Sequence, residues 1–319
     1  MKRIPLYIDT DMGVDDIVAI CLLTQNSRYD IRGISLVNGV TTVQKGIQNA
    51  QRLLRALDVP CPIFVGANRT QQKSSIQFPQ VDRARASSLD LLRDVPLPSK
   101  GSNPVLPITA LPEWIKKESA RVTLVCIGPL TNLPPLLRDP SFKKKVQMIY
   151  IMGGALRCAG NVCPRFISEY NFRLDPQAAQ NVLTIKLPII LVPMDATKYV
   201  PTRPRLATGQ TLRNLQRFYQ VAVQIRPPTL AGRIMQAIIL NNSSDFDYFY
   251  DPLVAGILID PSIVTKLERF AINVRVKGQS IGKITTTIQR KPNIDVVTSV
   301  SGSKLYKLIL RCIKQRSAL

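Results

Sequence analysis

The amino-acid sequence predicts an α/β fold with a mostly parallel central sheet, open and Rossmann-like, flanked by helices and followed by a helical C-terminal part. Short apolar runs alternate with longer amphipathic segments between residues 4 and 192, which is the pattern of strands and crossover helices. Hydrophobic residues make up 45% of the 319 residues and charged residues 20%, which suffices for a large core. Because no internal repeat or low-complexity linker divides the chain, we expect one domain over residues 1–319.

The predicted elements follow from the spacing of the apolar residues. Continuous apolar runs predict strands at residues 4–8, 31–37, 62–65, 122–127, 147–152 and 188–192. Helical spacing predicts helices at residues 15–24, 42–57, 131–137, 176–183 and 304–314. The polar stretch from 67 to 107 predicts a long loop with one helix near Leu89. Beyond residue 194 we expect mostly helix, with late strands at 264–276 and 282–287.

The chain contains no histidine, which excludes several catalytic classes. Ser-His-Asp and Cys-His catalysis and histidine-ligated metals all require an imidazole. Proton transfer must therefore use carboxylates, tyrosine, lysine, cysteine or water activated by a metal. The six cysteines form no CxxC pair, so no zinc signature is present. Cys158 and Cys163 lie in one loop and either bridge or simply lie near each other.

The net charge of +22 allows two interpretations. One is binding to nucleic acid, and the other is a basic surface without a specific partner. We favour the second, because the basic residues are spread along the chain and no nucleic-acid-binding module is recognisable. We also expect no membrane partner, since no run of 18 apolar residues without charge occurs. The N-terminus lacks the pattern of a signal peptide, which favours a cytoplasmic location.

Four carboxylates follow the first predicted strand within eight residues. They are Asp9, Asp11, Asp15 and Asp16, in the segment DTDMGVDD. In an open parallel sheet, ligands bind beyond the carboxyl ends of the strands. Asp15 and Asp16 could simply cap the following helix, but a cap explains one or two carboxylates and not four. Oxygen ligands without histidine or thiolate favour a hard cation, Ca²⁺ or Mg²⁺.

Polar segments also follow the later strands. IGPLTN follows the fourth strand at residues 127–132, and Met152 with two glycines follows the fifth. The loop beyond carries Asn161 and the triplet Glu169-Tyr170-Asn171, whose polar groups suit sugar hydroxyls. We interpret Asp175, which precedes a proline, as a helix cap.

Taken together, these segments resemble the inosine-uridine preferring nucleoside hydrolase family of nucleoside N-ribohydrolases. The family's opening signature, Asp-x-Asp-Pro-Gly-x-Asp-Asp, stands here as DTDMGVDD. Residues 152–179, MGGALRCAGNVCPRFISEYNFRLDPQAA, are similar to its MGG…GN…EFN…DPEAA stretch. IGPLTN is similar to its GPLTN turn, and YDPLVAGILIDPSIV at 250–264 to its HDP helix. Four segments in the family's order span most of the chain.

The resemblance implies a Ca²⁺-dependent hydrolysis of the N-glycosidic bond of purine or pyrimidine ribonucleosides, giving free base and ribose. Asp11 and Asp16 would ligate Ca²⁺ together with Asp251 and the carbonyl of Ile127. Asp11 would also accept a proton from the attacking water. The remaining implied roles are ribose binding by Asp15 and Asp251, sugar binding by Asn161, Glu169 and Asn171, a pocket wall at Met152, and support of the metal loop by Asp9. A homodimer or homotetramer is also implied.

Four departures from the family pattern accompany this resemblance. Met12 replaces the signature proline, which we expect to loosen the turn. Val40 matches a family asparagine, for which Asn38 is a possible substitute. The family's histidine-bearing loop has no counterpart at residues 70–85, and Tyr250 replaces a histidine associated with protonating the departing base. These losses lie on the side of the leaving group.

Aromatic residues cluster just before Asp251, in the segment DFDYFY at residues 245–250. We predict that Tyr250 donates a proton to the departing base or stacks against it, since it precedes Asp251 directly. We predict that Phe246 and Phe249 pack in the core and that Trp114 is structural. Three alternatives remain, namely a binding relative with weakened catalysis, a basic nucleic-acid-associated protein and a DxD-type phosphatase, although the last leaves the later segments unexplained.

Overall fold

The computed structural model describes residues 3–71, 76–88, 103–241, 246–288 and 290–315. Its centre is a sheet of nine strands in the order β4-β3-β2-β1-β5-β6-β7-β11-β8. All neighbours in this sheet are parallel except β11 and β8, which are antiparallel. The strands are β1 Ile4–Thr10, β2 Tyr29–Leu36, β3 Ile63–Val65, β4 Val105–Pro107, β5 Val122–Cys126, β6 Val146–Met152, β7 Ile189–Val192, β8 Val264–Phe270 and β11 Ile294–Val300. The predicted fold class is confirmed.

A small antiparallel pair lies outside this sheet and consists of β9 Ile272–Val274 and β10 Ile284–Thr286. The α-helices of the described ranges are α1 Val14–Thr24, α2 Val43–Ala56, α3 Gln80–Ser88, α4 Leu111–Lys116, α5 Leu133–Leu136, α6 Pro140–Lys145, α7 Tyr170–Leu174, α8 Pro176–Leu183, α9 Met194–Thr197, α10 Gly209–Gln224, α11 Leu230–Asn241, α12 Tyr250–Ile259 and α13 Gly302–Lys314. Within those ranges, every helix is too short or too polar to traverse a lipid bilayer.

Two hydrophobic clusters explain the layered arrangement. One contains the buried residues of α1, α2 and α10 to α13. The other contains the buried residues of α4, α5, α6 and α8, with the side chain of Trp114 partly buried against it. Strands β1 and β5 contribute to both clusters, because successive side chains of a strand point to opposite faces. The sheet is therefore covered by helices on both faces, as an all-parallel core requires.

One predicted strand differs from the structure, two strands were not predicted, and one predicted helix is displaced. The segment predicted as a strand at 264–276 is divided into β8 and β9, which belong to different sheets. Neither β4 nor β11 was predicted, although β11 lies inside the main sheet. The expected helix near Leu89 corresponds to α3, which ends at Ser88, whereas Leu89 lies outside the described residues.

Asp175 is a helix cap, as the sequence predicts. Its side chain is fully buried, and Oδ1 accepts a hydrogen bond from the N–H of Ala178 in α8 at 3.0 Å. Oδ2 accepts from the hydroxyl of Thr131 and from the N–H of Gln71, each at 2.8 Å. One carboxylate therefore joins α8, the turn after β5 and the segment after β3.

Replacement of Asp175 by alanine should destabilise the fold by about 3 kcal/mol, because a cap is lost and two further donors lose their partner. Urea unfolding of the purified variant measures this change. Asp139→Ala is the matched control, since Asp139 caps α6 at the surface and accepts from the N–H of Ser141 at 2.8 Å. A loss no larger for Asp175→Ala than for the control would contradict the assigned role.

Candidate active site

A cluster of carboxylates lies beyond the carboxyl end of β1. Asp15, Asp16 and Asp251 each offer an oxygen, and these three oxygens lie within 4.8 Å of one another. Asp251 is within hydrogen-bonding reach of both other side chains. Two carboxylates can share such a contact only with a proton or a cation between them. The oxygen-only donor set is that of a hard cation such as Ca²⁺ or Mg²⁺, so the cluster can hold a metal ion.

Two helix N-termini bring these carboxylates together. Asp15 and Asp16 lie in the first turn of α1, and Asp251 lies in the first turn of α12, which packs against α1. The positive end of each helix dipole favours negative charge, which offsets part of the repulsion. Asp16 also participates in a cap, because its Oδ2 accepts from the N–H of Gly13 at 2.9 Å and its Oδ1 from the hydroxyl of Thr10. Capping therefore accounts for Asp16 in part but not for the cluster.

Burial and mutual repulsion oppose ionisation of the cluster. Burial, followed by the charge of Asp16, raises the pKa of Asp15 to about 7. The same two causes hold the pKa of Asp11 well above its usual range. Burial and the charges of Asp15, Asp16 and Asp11 raise the pKa of Asp251 in the same direction. The protein alone does not compensate the negative charge that these residues carry when ionised.

Asp11 lies beside this cluster and is oriented by the segment after β2. Its Oδ2 accepts a hydrogen bond from the N–H of Val40 at 2.6 Å, and its carbonyl accepts one from the hydroxyl of Thr41 at 2.6 Å. Gly39 approaches so closely that a Cβ there would collide with the Asp11 carboxylate. Asp11 is 3% exposed and lines the same cleft as Asp15, Asp16 and Asp251.

Asp9, near the end of β1, is joined through its side chain to β2 and to the turn after β5. Its Oδ1 accepts hydrogen bonds from the hydroxyl of Ser35 and from Nδ2 of Asn132, the latter at 2.7 Å. Asn132 also donates to the carbonyl of Leu36 at 3.1 Å and accepts from the N–H of Ala67 at 2.8 Å. The asparagine of the IGPLTN turn thus connects the ends of neighbouring strands. Oδ2 of Asp9 is buried without a hydrogen-bond partner among the described residues.

Met12 fits its turn in a way that proline does not. Its φ of 54° lies in the left-handed region, which the proline ring excludes. Its N–H donates to the hydroxyl of Thr10 at 2.9 Å, and the side chain is fully buried. A hydrogen bond and burial of the side chain therefore hold the turn at Met12, while a looser turn than in proline-bearing relatives stays a prediction.

Another part of the cleft lining comes from the ends of β5 and β6, from the loop before α7 and from the first turn of α7. Ile127, Met152, Asn161, Glu169 and Asn171 all line the cleft. Asn171 Nδ2 donates to the carbonyl of Ile127 at 3.2 Å. Asn161 Oδ1 accepts from the N–H of Tyr170 at 3.0 Å.

Glu169 is the N-cap of α7, a role that sequence analysis missed. Oε1 accepts from the N–H of Asn171 at 2.7 Å. Oε2 accepts from the N–H groups of Gly154 and Phe172 at 2.9 and 3.2 Å. The carboxylate is therefore rigidly placed, and it faces the cleft with its remaining acceptor capacity.

Tyr250 closes the cleft beside Asp251. Its hydroxyl is hydrogen-bonded to the side chain of Asn161. Burial, and then the charge of Asp247, raises the pKa of Tyr250 well above its usual value. The contact with Asn161 lowers the pKa, so the Asn161 amide donates to the phenol oxygen, and the phenol O–H keeps its proton and remains available as a donor. Phe246 and Phe249 belong to the core, as predicted, and Phe246 also reaches the cleft, whereas Asp245 lies outside the described residues.

The cleft has a volume of about 390 Å³ and includes residues that sequence analysis did not identify. Val40, which matches the family's asparagine, lines the cleft, whereas Asn38 is not among the lining residues. The further lining residues that were missed come from α3 and its approach, from the loop before α7, and from two segments near Tyr250; they include Phe78, Asp82, Arg85, Cys163, Tyr170, Arg203, Arg205 and Asp247. Phe78 stacks on Tyr170 with ring centroids 4.5 Å apart.

The two loop cysteines are not bridged. Cys158 and Cys163 are both free thiols, and Cys158 lies 3.5 Å from Oδ2 of Asp195.

Comparison with known proteins identifies the family. The model of the inosine-uridine preferring nucleoside hydrolase family matches residues 6–307. The chain therefore belongs to this family, whose members are hydrolases that act on nucleosides, and the resemblance found in the sequence is confirmed.

Curated relatives extend over nearly the whole chain. A pyrimidine-specific ribonucleoside hydrolase, RihA, of Klebsiella pneumoniae is 27% identical over 318 residues, covering 96% of this chain and 97% of its own. A protein of Schizosaccharomyces pombe is 30% identical over 281 residues, covering 86% of this chain and 85% of its own.

Solved structures share the fold. A plant nucleoside hydrolase, PpNRh1, superimposes with a TM-score of 0.80 at 21% identity, covering 99% of this chain and 100% of its own. An inosine-guanosine nucleoside hydrolase also gives a TM-score of 0.80, at 22% identity, with 98% of this chain and 99% of its own covered.

Replacement of Asp251 by asparagine should stabilise the metal-free protein by about 1 kcal/mol at pH 8 in EDTA. An amide removes one negative charge and donates a hydrogen bond to the neighbouring carboxylates. Urea unfolding measures the change. In the control Asp195→Asn we expect a loss, because Asp195 accepts from the N–H groups of Leu156 and Arg157, each at 2.8 Å. Destabilisation by both variants would show that repulsion in the cluster is unimportant.

Proposed function

We propose that the chain hydrolyses the N-glycosidic bond of ribonucleosides and binds one Ca²⁺ ion to do so. The observation that carries this proposal is the convergence of Asp15, Asp16 and Asp251 in the cleft that also contains Asp11 and the carbonyl of Ile127. Membership of the nucleoside hydrolase family supports the reaction. The donor set supports a hard cation, since it contains oxygen and neither imidazole nor thiolate.

Asp11, Asp16, Asp251 and the carbonyl of Ile127 would hold the ion. When bound, Ca²⁺ supplies positive charge that lowers the pKa of water and attracts the ribose hydroxyls. The family resemblance assigns the ribose 2′- and 3′-hydroxyls to Asp15 and Asp251. The placement of Asp15 next to Asp16 and Asp251 is consistent with this division.

Asp11 is the proposed base that accepts a proton from the attacking water. The Val40 N–H fixes one of its carboxylate oxygens, which leaves the other to face the cleft. An ionised carboxylate at the cleft can act as a general base toward a bound water. The developing positive charge on the sugar, which resembles an oxocarbenium ion, is stabilised by the surrounding carboxylates.

The sugar 5′ side is proposed to contact Asn161, Glu169 and Asn171, with Met152 as an apolar wall. Glu169 is held by three backbone N–H groups, so its position costs little to organise when substrate binds. Tyr250 is proposed to donate a hydrogen bond to the departing base in place of the family's histidine. Its contact with Asn161 connects the sugar side of the cleft to the leaving-group side.

The base preference is not defined by the relatives, since their names include both pyrimidine-specific and inosine-guanosine enzymes. We propose that the chain accepts purine or pyrimidine ribonucleosides. The stacked pair Phe78 and Tyr170 offers an aromatic surface at the cleft that either class of base can contact.

Release of free base and ribose from a panel of purine and pyrimidine ribonucleosides tests the activity. Wild-type protein should release base from at least one nucleoside, EDTA should abolish the release, and added Ca²⁺ should restore it.

Asp11→Asn should lower kcat by about 10³-fold or more, because the amide accepts no proton. Asp195→Asn controls for the loss of a buried carboxylate outside the cleft lining. Full activity of Asp11→Asn would contradict the proposed mechanism. Release of base that EDTA does not affect would contradict the proposed role of the metal.

Tyr250→Phe should lower kcat for the best nucleoside by about 10- to 100-fold, since it removes a hydrogen-bond donor at the leaving group. Ca²⁺ binding, followed by calorimetry, should stay unchanged because the ring and Asp251 remain. Tyr248→Phe is a matched control. The ring centroids of Tyr248 and Tyr250 are 5.9 Å apart, and Tyr248 does not line the cleft. An equal effect of both variants would exclude a specific role for the Tyr250 hydroxyl.

A further inference from the structure

A short antiparallel pairing places two arginines beside the leaving-group side of the cleft. The N–H of Phe249 donates to the carbonyl of Val200 at 3.0 Å, and the N–H of Thr202 donates to the carbonyl of Asp247 at 2.9 Å. This pairing holds the segment that ends at Arg203 against the segment that leads into α12.

Two tyrosines, Tyr219 partly buried and Tyr306 buried, fix the same segment through their hydroxyl groups. The hydroxyl of Tyr219 donates to the carbonyl of Thr202 at 2.6 Å, and that of Tyr306 donates to the carbonyl of Pro201 at 2.8 Å. Thr202 is 1% exposed. The backbone that leads to Arg203 is therefore rigid, and the side chain starts from a defined point at the cleft wall.

Asp247 is shared by two guanidinium groups. Its Oδ1 lies 3.1 Å from Nε of Arg203 and 3.5 Å from Nη2 of Arg205. One carboxylate neutralises only one of the two positive charges, so the trio carries a net charge of about +1. All three residues line the cleft together with Tyr250. The side chain of Arg203 is 23% exposed and that of Arg205 is 67% exposed, so the charge of Arg203 is the less screened of the two.

We propose that Arg203, held by Asp247, stabilises the negative charge that develops on the departing base. The inference rests on the proposed function, because it assigns the base to the side of the cleft that contains Tyr250. The chain has no histidine to protonate the base, so a fixed cation offers the alternative of letting the base leave as an anion.

The chemical balance of this step is simple. The bond between C1′ and the base nitrogen breaks, and its electron pair stays with the base. Water adds its hydroxyl group to C1′, and Asp11 accepts the proton of that water. The anionic base, next to Arg203 and the Tyr250 hydroxyl, leaves and takes a proton from solvent, while Asp11 returns its proton to solvent. The sum is nucleoside plus water giving ribose plus neutral base.

A purely structural role for Arg203 makes a different prediction. If Arg203 only anchors Asp247 and the paired segments, its loss should affect all substrates alike. If it stabilises the leaving group, its loss should matter for a poor leaving group and not for a good one. Comparison of a nucleoside with 4-nitrophenyl β-D-ribofuranoside, whose phenolate leaves readily without assistance, separates the two roles.

The experiment measures kcat and KM for Arg203→Met and Arg203→Gln with both substrates, in saturating Ca²⁺. We expect kcat for the best nucleoside to fall roughly tenfold or more in both variants. Loss of an enclosed oxyanion donor typically lowers kcat by about 10²–10³-fold, and we expect a smaller loss here because Arg203 is partly exposed. The rate with the nitrophenyl riboside should change less than about twofold, since the delocalised nitrophenolate anion is stable without assistance from the protein. Arg203→Lys should recover part of the nucleoside rate because it keeps the charge.

Arg269→Met is the control for loss of a partly exposed arginine, since Arg269 pairs with Asp295 at 3.3 Å outside the cleft lining. Equal losses with both substrates, or no loss with the nucleoside in either Arg203 variant, would overturn the inference while leaving the proposed function intact. A wild-type protein that releases neither base nor nitrophenol would overturn the proposed function, and the inference with it.

Discussion

Repulsion among buried carboxylates at the end of β1 is the constraint around which the rest of the structure is arranged. Asp11 and Asp16 are almost completely buried, and Asp251 joins them from a helix that is distant in sequence. The fold opposes this repulsion with the N-termini of α1 and α12 and with donors such as the Thr10 hydroxyl and the Val40 N–H. These contacts orient the carboxylates without neutralising them, which is the state that a cation site requires.

The two sides of the cleft are built by different means. On the proposed sugar side, backbone groups fix the polar side chains, as the three N–H groups around Glu169 illustrate. On the proposed leaving-group side, the chain has no imidazole, and the cleft wall carries the Tyr250 phenol and the cation of Arg203 instead. Such a wall favours charge stabilisation over full protonation of the base, because burial makes the phenol a weak acid. The excess of basic residues elsewhere stays compatible with a surface without a specific partner.

The sequence predicted those parts of the structure that depend on the local pattern of residues. Apolar runs identified the parallel strands from β1 to β7 except β4, and Asp175 was recognised as a cap from the proline that follows it. Strand β11 was missed because its polar positions are interspersed with apolar ones and its partners β7 and β8 are remote in sequence. The sequence motifs predicted that the carboxylates share one site. Arg203 was missed because, in a chain of charge +22, no local signal distinguishes a cleft arginine from a surface one. Its position depends on a pairing between segments more than 40 residues apart.

We propose that Asp11, Asp15, Asp16 and Asp251 together form a binding site for one divalent cation. Isothermal titration of EDTA-treated, dialysed protein with Ca²⁺ tests it most directly, with Asp251→Ala and Asp195→Asn measured in parallel. The account predicts a single site per chain in the wild-type protein and in Asp195→Asn, and no measurable binding in Asp251→Ala. Binding that survives in Asp251→Ala with unchanged affinity and stoichiometry, or a wild-type protein that takes up no Ca²⁺, would contradict it.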